Sequence, residues 1–478
     1  MRRCGAALML LIGSFPAFAH KGGDAPTAPP SAAFAVAQGE VMREYPALLQ
    51  AITRGGGFGS EFSRAIANNM YSRTDAAAIA DARAKLKIEP QGARTWLLRF
   101  PFVNVAVFET DAGLVLVDSG YAPAGPALRD ALRKLSAKPV HTIILTHMHA
   151  DHAWGAWALL QAGPGGTRPR IVTTDLYAQQ LDYDMKSFGL IARNNQQSLA
   201  DVPKKMDDAI LPTLTFHDRI SLTIGGERFV LTHARGETED QLWVSVPSRK
   251  LVVSADYYQD FLPNAGNGKR RQRYPDQWAK ALRDMAALKP ERLLPMHGAA
   301  LSDAADIRDR LQAHADILDS ITVQVIDGLN AGLRRDQAVD QVTLAPALAQ
   351  RADAREDYVS VKDIARMVAK QYGGWWDDLP SHWNPATVAD EAHEVAALAG
   401  GAHKLVQRAK TVLAANPALA AQLADWAWLA APDDAAVLRG VLDVYGGRIG
   451  PGTTTQEALV YREHMVRLKV RLAELAGK

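Results

Sequence analysis

The stretch Thr146-His147-Met148-His149-Ala150-Asp151-His152 follows directly on the apolar run Val140-His141-Thr142-Ile143-Ile144-Leu145. That run has the length and composition of a buried strand, and from Ala153 onward (Trp154, Ala156, Trp157, Leu159, Leu160) the spacing predicts a helix. The histidines therefore fall on a strand-to-helix loop, where side chains converge without obeying a sheet or helical period. On extended backbone His147 and His149 project to the same side. Asp151 and His152, further on, turn toward a second point. A solvated polar loop explains one histidine, but not three with an aspartate beside a buried strand. Imidazole and carboxylate at this density form a metal-ligand pattern, and its two directions suit two adjacent cations. The helical His-Glu-x-x-His zinc arrangement does not match.

Further candidates stand at the ends of later strands, the usual place for site residues on a rigid sheet. Glu237 lies in Leu231-Thr232-His233-Ala234-Arg235-Gly236-Glu237-Thr238-Glu239-Asp240, Asp256 closes Ser254-Ala255-Asp256, and His297 closes Leu294-Pro295-Met296-His297-Gly298. Taken singly they read as a solvated turn residue, a helix cap and a packed histidine. Asp118 ends the run Leu114–Val117 in the same manner.

The His147–His152 stretch is the HxHxDH signature, and in it the chain resembles the metallo-β-lactamase superfamily. The order and placement of Glu237, Asp256 and His297 fit the same template. The resemblance implies an α/β fold, an αββα sandwich, followed here by an all-helical domain. It also implies a dinuclear centre. His147, His149 and Glu237 would hold one cation, Asp151, His152 and His297 the other, and Asp256 would bridge. Zinc is the first choice for these donors, with manganese and iron left open. Typical members carry a histidine after the glycine, where this chain has Glu237. In that departure it is similar to the alkylsulfatases of the same fold. Tyr372-Gly373-Gly374-Trp375-Trp376-Asp377-Asp378-Leu379-Pro380, with Tyr358 and Val361 upstream, resembles their dimerisation domain; the plain alternative is an aromatic core stripe.

The activity implied is hydrolysis of alkyl or aryl sulfate esters by metal-activated water, with Asp151 and Asp256 as the catalytic carboxylates. Lactones, β-lactams and phosphoesters are the alternative substrates. Asp118 would orient a ligand histidine from behind and fix its tautomer. The family grips sulfate with the stretch after the bridging acid. Here Tyr257–Arg273 offers Asn264, Lys269, Arg270 and Arg271, but lacks the family's threonine/histidine pattern. A solvated basic loop is the plain reading of that run.

Among 478 residues, a net charge of +2 points to no nucleic-acid partner. Arg2-Arg3, the apolar Ala6–Ala17 and Ala17-Phe18-Ala19 read as a secretory signal over residues 1–19. Export to the periplasm, without stable membrane insertion, is the expectation. Cys4 is the only cysteine and lies in that signal, so neither disulfide nor thiolate ligand is expected. Residues 20–90 read as a leader and helical arm, and 91–303 as the catalytic domain with strands alternating with helices. From 304 to 478 strand signals vanish; this helical region is expected to form a homodimer. The remaining partner expected is a small anionic ester.

Overall fold

A computed structural model describes residues 32–54, 70–160, 168–195 and 202–477. The signal-like segment, Gly55-Gly56-Gly57 and residues 196–201 lie outside the described residues.

Two sheets carry the first half. One has the strands β1 (Lys87–Pro90), β2 (Thr95–Arg99), β3 (Asn104–Glu109), β4 (Leu114–Val117), β5 (Val140–Ile144), β6 (Arg170–Thr174) and β7 (Leu214–Phe216), paired in that order. The other runs β12 (Arg292–Pro295), β11 (Leu251–Ala255), β10 (Leu242–Val246), β9 (Glu227–His233) and β8 (Arg219–Ile224). Strand β8, at an edge, alternates apolar and polar residues. By contrast β3, β4, β10 and β11 are near-continuous apolar runs, because both of their faces are covered.

The facing sides meet in one core, where Phe108, Val117, Ile144 and Val172 pack with Phe229, Leu231, Val244 and Val253. The outer face of the first sheet is covered by the helix Gly125–Leu135 and the Trp154 segment. The outer face of the second is covered by Pro275–Ala287, Ala304–Asn330 and Val361–Gly373. This layering is the αββα arrangement expected from the strand–helix alternation. After Ala304 every further element is helical among the described residues.

Two expectations are corrected. The helix drawn from Ala153 onward is a single turn, Ala150–Ala153, followed by a 3-10 segment, Trp154–Ala158. The backbone there is claimed by the exit of β4. The His152 carbonyl accepts from Ser119 N–H at 2.7 Å, and Gly155 N–H donates to the Gly120 carbonyl at 2.7 Å. A Cβ on Gly155 would stand 1.9 Å from the Ser119 carbonyl oxygen, so only glycine permits the approach. The second correction is β1, which the sequence reading placed at the end of a helical arm. Lys-Ile-Glu-Pro is a mostly exposed edge strand with little apolar signal.

The arm itself, Ala32–Glu44 and Pro46–Thr53, packs on the far end of the chain. Val41, Leu48 and Ile52 share a core with Leu459 and Met465 of the helix Thr455–Ala476. Among the described residues no helix is long and apolar enough to cross a membrane.

Candidate metal centre

The candidate ligands are delivered by strand ends. Strand β5 runs into Thr146 and the His147–His149 loop, β9 leads to the turn carrying Glu237, β11 stops one residue before Asp256, and β12 leads into His297. Sharp exits turn the side chains inward: Asp118 (φ 64°) and Ala255 (φ 50°) lie in the left-handed region, and Gly298 follows His297 with φ 93°.

These ends converge. Donor atoms of His147, His149 and Glu237 lie within 4.8 Å of one another, as do those of His147, His152 and Asp256, and those of Asp151, His152 and His297. Asp256 Oδ2 stands 3.4 Å from His152 Nε2, 3.3 Å from His297 Nε2 and 3.9 Å from His147 Nε2. Asp151 Oδ2 is 3.5 Å from His152 Nε2 and 3.7 Å from His297 Nε2, and His149 Nδ1 is 3.9 Å from Glu237 Oε1. Four ligands held tetrahedrally at ~2.1 Å around one cation stand ~3.4 Å apart. The observed separations bracket that edge, so the shell has the size of a divalent-metal shell.

Hydrogen bonding supports the same fit. His152 Nε2, Asp256 Oδ1 and Glu237 Oε2 are buried without a hydrogen-bond partner, although buried polar atoms normally have one. The opposite edges of the same groups are engaged. His152 Nδ1 meets Asp118 Oδ2 at 2.8 Å, and Asp118 also accepts from Thr146 N–H and Thr146 Oγ1 at 2.8 and 2.9 Å. His297 Nδ1 meets the Phe102 carbonyl at 2.5 Å. Each ring thus has one nitrogen tied to the scaffold and the other turned to the cluster, the usual device for orienting ligand histidines.

The charge states agree. Burial holds His147 and His149 well below the usual imidazole range, in the neutral form that binds a cation. Burial works against charge on His152 too, but the carboxylates of Asp256, Asp151 and Asp118 prevail and raise it. In the absence of a cation, a proton held there balances the surrounding negative charge. Burial pushes Glu237 up to about 7, against the pull of Arg273.

The cluster floors a cavity of about 700 Å³. Met70, Tyr71, Trp154, Leu181 and Met185 line its apolar side, and Asn264, Asn267, Lys269 and Arg270 its polar side. Sequence reading offered Asn264, Lys269 and Arg270 as anion contacts. The structure engages them differently. Asn264 Nδ2 donates to Glu237 Oε1 at 3.0 Å, Lys269 Nζ stands 3.5 Å from Glu463 Oε2, and Arg270 Nη2 donates to Asn195 Oδ1 at 2.6 Å. Arg271 is drawn to Asp184, at 2.7 Å. Among the described residues only one of Arg270's donors is so engaged, and a guanidinium has several. His233 turns away, its Nε2 on the Glu239 carbonyl at 2.7 Å.

Two residues of the site escaped the sequence reading. Asn104, at the start of β3, donates to the carbonyls of Pro295 and Gly298, each at 2.8 Å, and so brackets His297. Arg273, at the far end of the basic run, is 1% exposed and donates to Glu237 Oε1 at 2.7 Å. An unusually buried arginine has no signature in a Lys/Arg-rich loop.

Comparison with known proteins agrees with this geometry. Residues 98–297 match the metallo-beta-lactamase superfamily and residues 334–447 the alkyl sulfatase dimerisation family. The chain thus carries a metallo-beta-lactamase superfamily domain followed by an alkyl sulfatase dimerisation domain. Its relatives narrow the branch. It is 28% identical over 354 residues to the linear primary-alkylsulfatase of Pseudomonas sp. (strain ATCC 19151), covering 68% of this chain and 64% of that protein. It is 23% identical over 333 residues to the alkyl/aryl-sulfatase BDS1 of Saccharomyces cerevisiae, covering 64% and 52%. The chain therefore spans less than two thirds of the length of either. The sec-alkylsulfatase Pisa1 from Pseudomonas sp., described as stereoselective and inverting, superposes with a TM-score of 0.71 at 16% identity, over 93% of this chain and 79% of that one. That likeness shows a shared fold.

Proposed function

We propose that the chain is a dinuclear-metal hydrolase of alkyl or aryl sulfate esters, exported to the periplasm and working as a homodimer. The observation that carries this reading is the convergence of His147, His149, Asp151, His152, Glu237, Asp256 and His297, with His149, Asp151, Glu237, Asp256 and His297 lining one cavity. The dimerisation-family match and the alkylsulfatase relatives support the choice of ester and the assembly. Zinc is the cation the donor set suits best.

His147, His149 and Glu237 would hold one cation, and Asp151, His152 and His297 the other, with Asp256 between them. Such a pair supplies Lewis acidity, which acidifies water near neutral pH and offsets the ester's negative oxygens. The chain contributes the rest. Arg270 lines the cavity and grips the anionic head through the planar fork that suits such oxygens. Asp151 lines the same space and takes the proton that the attacking water gives up. The wall of Met70, Tyr71, Trp154 and Met185 receives the organic group and keeps bulk water from the reacting centre.

A second reading changes the substrate alone, to a lactone, β-lactam or phosphoester. The engagement of Asn264 by Glu237 and of Lys269 by Glu463 favours keeping it, since each spends part of its donor capacity on a protein carboxylate. The test is metal analysis of the purified protein beside an ester panel. Expected are two ions per chain and release of inorganic sulfate from dodecyl sulfate or 4-nitrophenyl sulfate, both abolished in His147→Ala. Lactone or nitrocefin turnover without sulfate release moves the assignment to the second reading.

A further inference from the structure

Glu237 differs from the other candidate ligands in its charge partner: its buried carboxylate meets a buried arginine, Arg273, at 2.7 Å. Its two oxygens differ in their partners. Oε1 accepts from Arg273 Nη2 at 2.7 Å and from Asn264 Nδ2 at 3.0 Å, while Oε2 is buried with no hydrogen-bond partner. Arg273 is in turn locked from behind, its Nη1 donating to the Asn264 carbonyl. The fork and the amide thus form a closed clamp on one side of the carboxylate.

A buried ion pair of this kind is a poor source of stability, because desolvating both charges offsets most of their attraction. Its electrostatic consequence is larger. Asp151, Glu237 and Asp256 together bring more negative charge than a neutral ligand in place of Glu237 would. The guanidinium of Arg273 cancels that excess, so the Glu237–Arg273 pair presents to a cation the net charge of a neutral imidazole. From this geometry we infer that Arg273, with Asn264, is a positioning residue for the metal site: it fixes the Glu237 carboxylate through Oε1 and sets the charge of the site formed by His147, His149 and Glu237. The inference rests on the two-metal reading above and adds a dependence of one of its two sites on Arg273.

The dependence is conditional, and that separates it from mere packing. If Arg273 serves Glu237, it should become dispensable once Glu237 is replaced by a neutral ligand. The experiment titrates Zn²⁺ and Co²⁺ into metal-free parent, Arg273→Met, Arg273→Lys, Glu237→His and the double variant Glu237→His/Arg273→Met, with chelator competition for affinity and circular dichroism for folding. Expected is a parent with two ions and an Arg273→Met variant whose affinity falls ~10-fold or more at one site while the other is unchanged, the size typical of losing a ligand's supporting partner. Arg273→Lys should fall between them, since it keeps the charge without the fork. The double variant should regain the lost ion. Should Arg273→Met not fold, Asn264→Leu tests the same clamp and should weaken the same site. Two ions held with parental affinity by Arg273→Met, or a double variant as defective as the single one, overturns the inference. A parent that takes up no metal overturns the two-metal reading itself, and the inference with it.

Discussion

Asp118 shows what one residue contributes at the smallest scale. It stands at the end of β4 in the left-handed region and is fully buried. One carboxylate oxygen fixes the Thr146 backbone and the other gathers Thr146 Oγ1 and His152 Nδ1. Asp118→Asn is the informative substitution, because asparagine tolerates the same backbone conformation yet replaces one acceptor oxygen by a donor. The variant should keep its fold by circular dichroism and lose metal affinity by ~10–100-fold in chelator competition. Parental affinity would show that His152 is oriented without it. The sequence made Asp118 visible because an acid ends an apolar strand just before a histidine loop. It did not make Arg273 or Asn104 visible. Their roles come from burial and from partners far along the chain, and neither leaves a local pattern.

At the scale of elements, strands were legible where their faces demanded apolar residues, as in β3, β4 and β11. The Ala153–Leu160 segment misled because apolar spacing reports which side is buried, not where the backbone hydrogen bonds go. There Ser119 and Gly120 take them. The helices of the second half carry a pH sensitivity of their own. His464, on Thr455–Ala476, sits against Trp428 of Pro417–Ala430 at 4.7 Å between ring centroids and Tyr445 of Ala435–Arg448 at 4.9 Å. Burial lowers its pKa to about 4, and Arg467 adds to the effect. The unfolded chain, with an ordinary imidazole, therefore takes up this proton first as pH falls. Stability contributed by the neutral ring is complete above about 6.5 and is lost progressively toward pH 4, by at most roughly 3 kcal/mol. His464→Phe should flatten this part of the profile when urea melts at pH 7 and pH 4.5 are compared with the parent. An equal loss in both proteins would place the sensitivity elsewhere.

Across the whole molecule, the surface departs most from an ordinary soluble face between Tyr372 and Val388. Trp375 and Trp383 are 71% and 66% exposed, and Tyr372, Leu379 and Val388 are exposed beside them. The patch is preordered. The two exposed indoles meet at 5.5 Å between centroids with their planes tilted by 33°, Trp376 meets Trp383 edge-on at 5.8 Å, and Asp377 fastens the turn through His382 at 2.7 Å and Leu379 N–H at 3.3 Å. An aromatic ledge held rigid before contact loses little side-chain entropy on association, and such residues tend to dominate interfaces. It lies within the residues that match the dimerisation family, which makes a second copy of the chain its natural cover. Trp376, half-buried and donating to the Leu379 carbonyl at 3.0 Å, supports the ledge from within. Trp375→Ala/Trp383→Ala should therefore weaken the dimer without unfolding the subunit, by ~100-fold if the pair supplies about 3 kcal/mol. Sedimentation velocity over a dilution series of parent and variant measures this directly. A parent that stays monomeric at every concentration, or two proteins with the same dissociation curve, would assign the ledge some other partner.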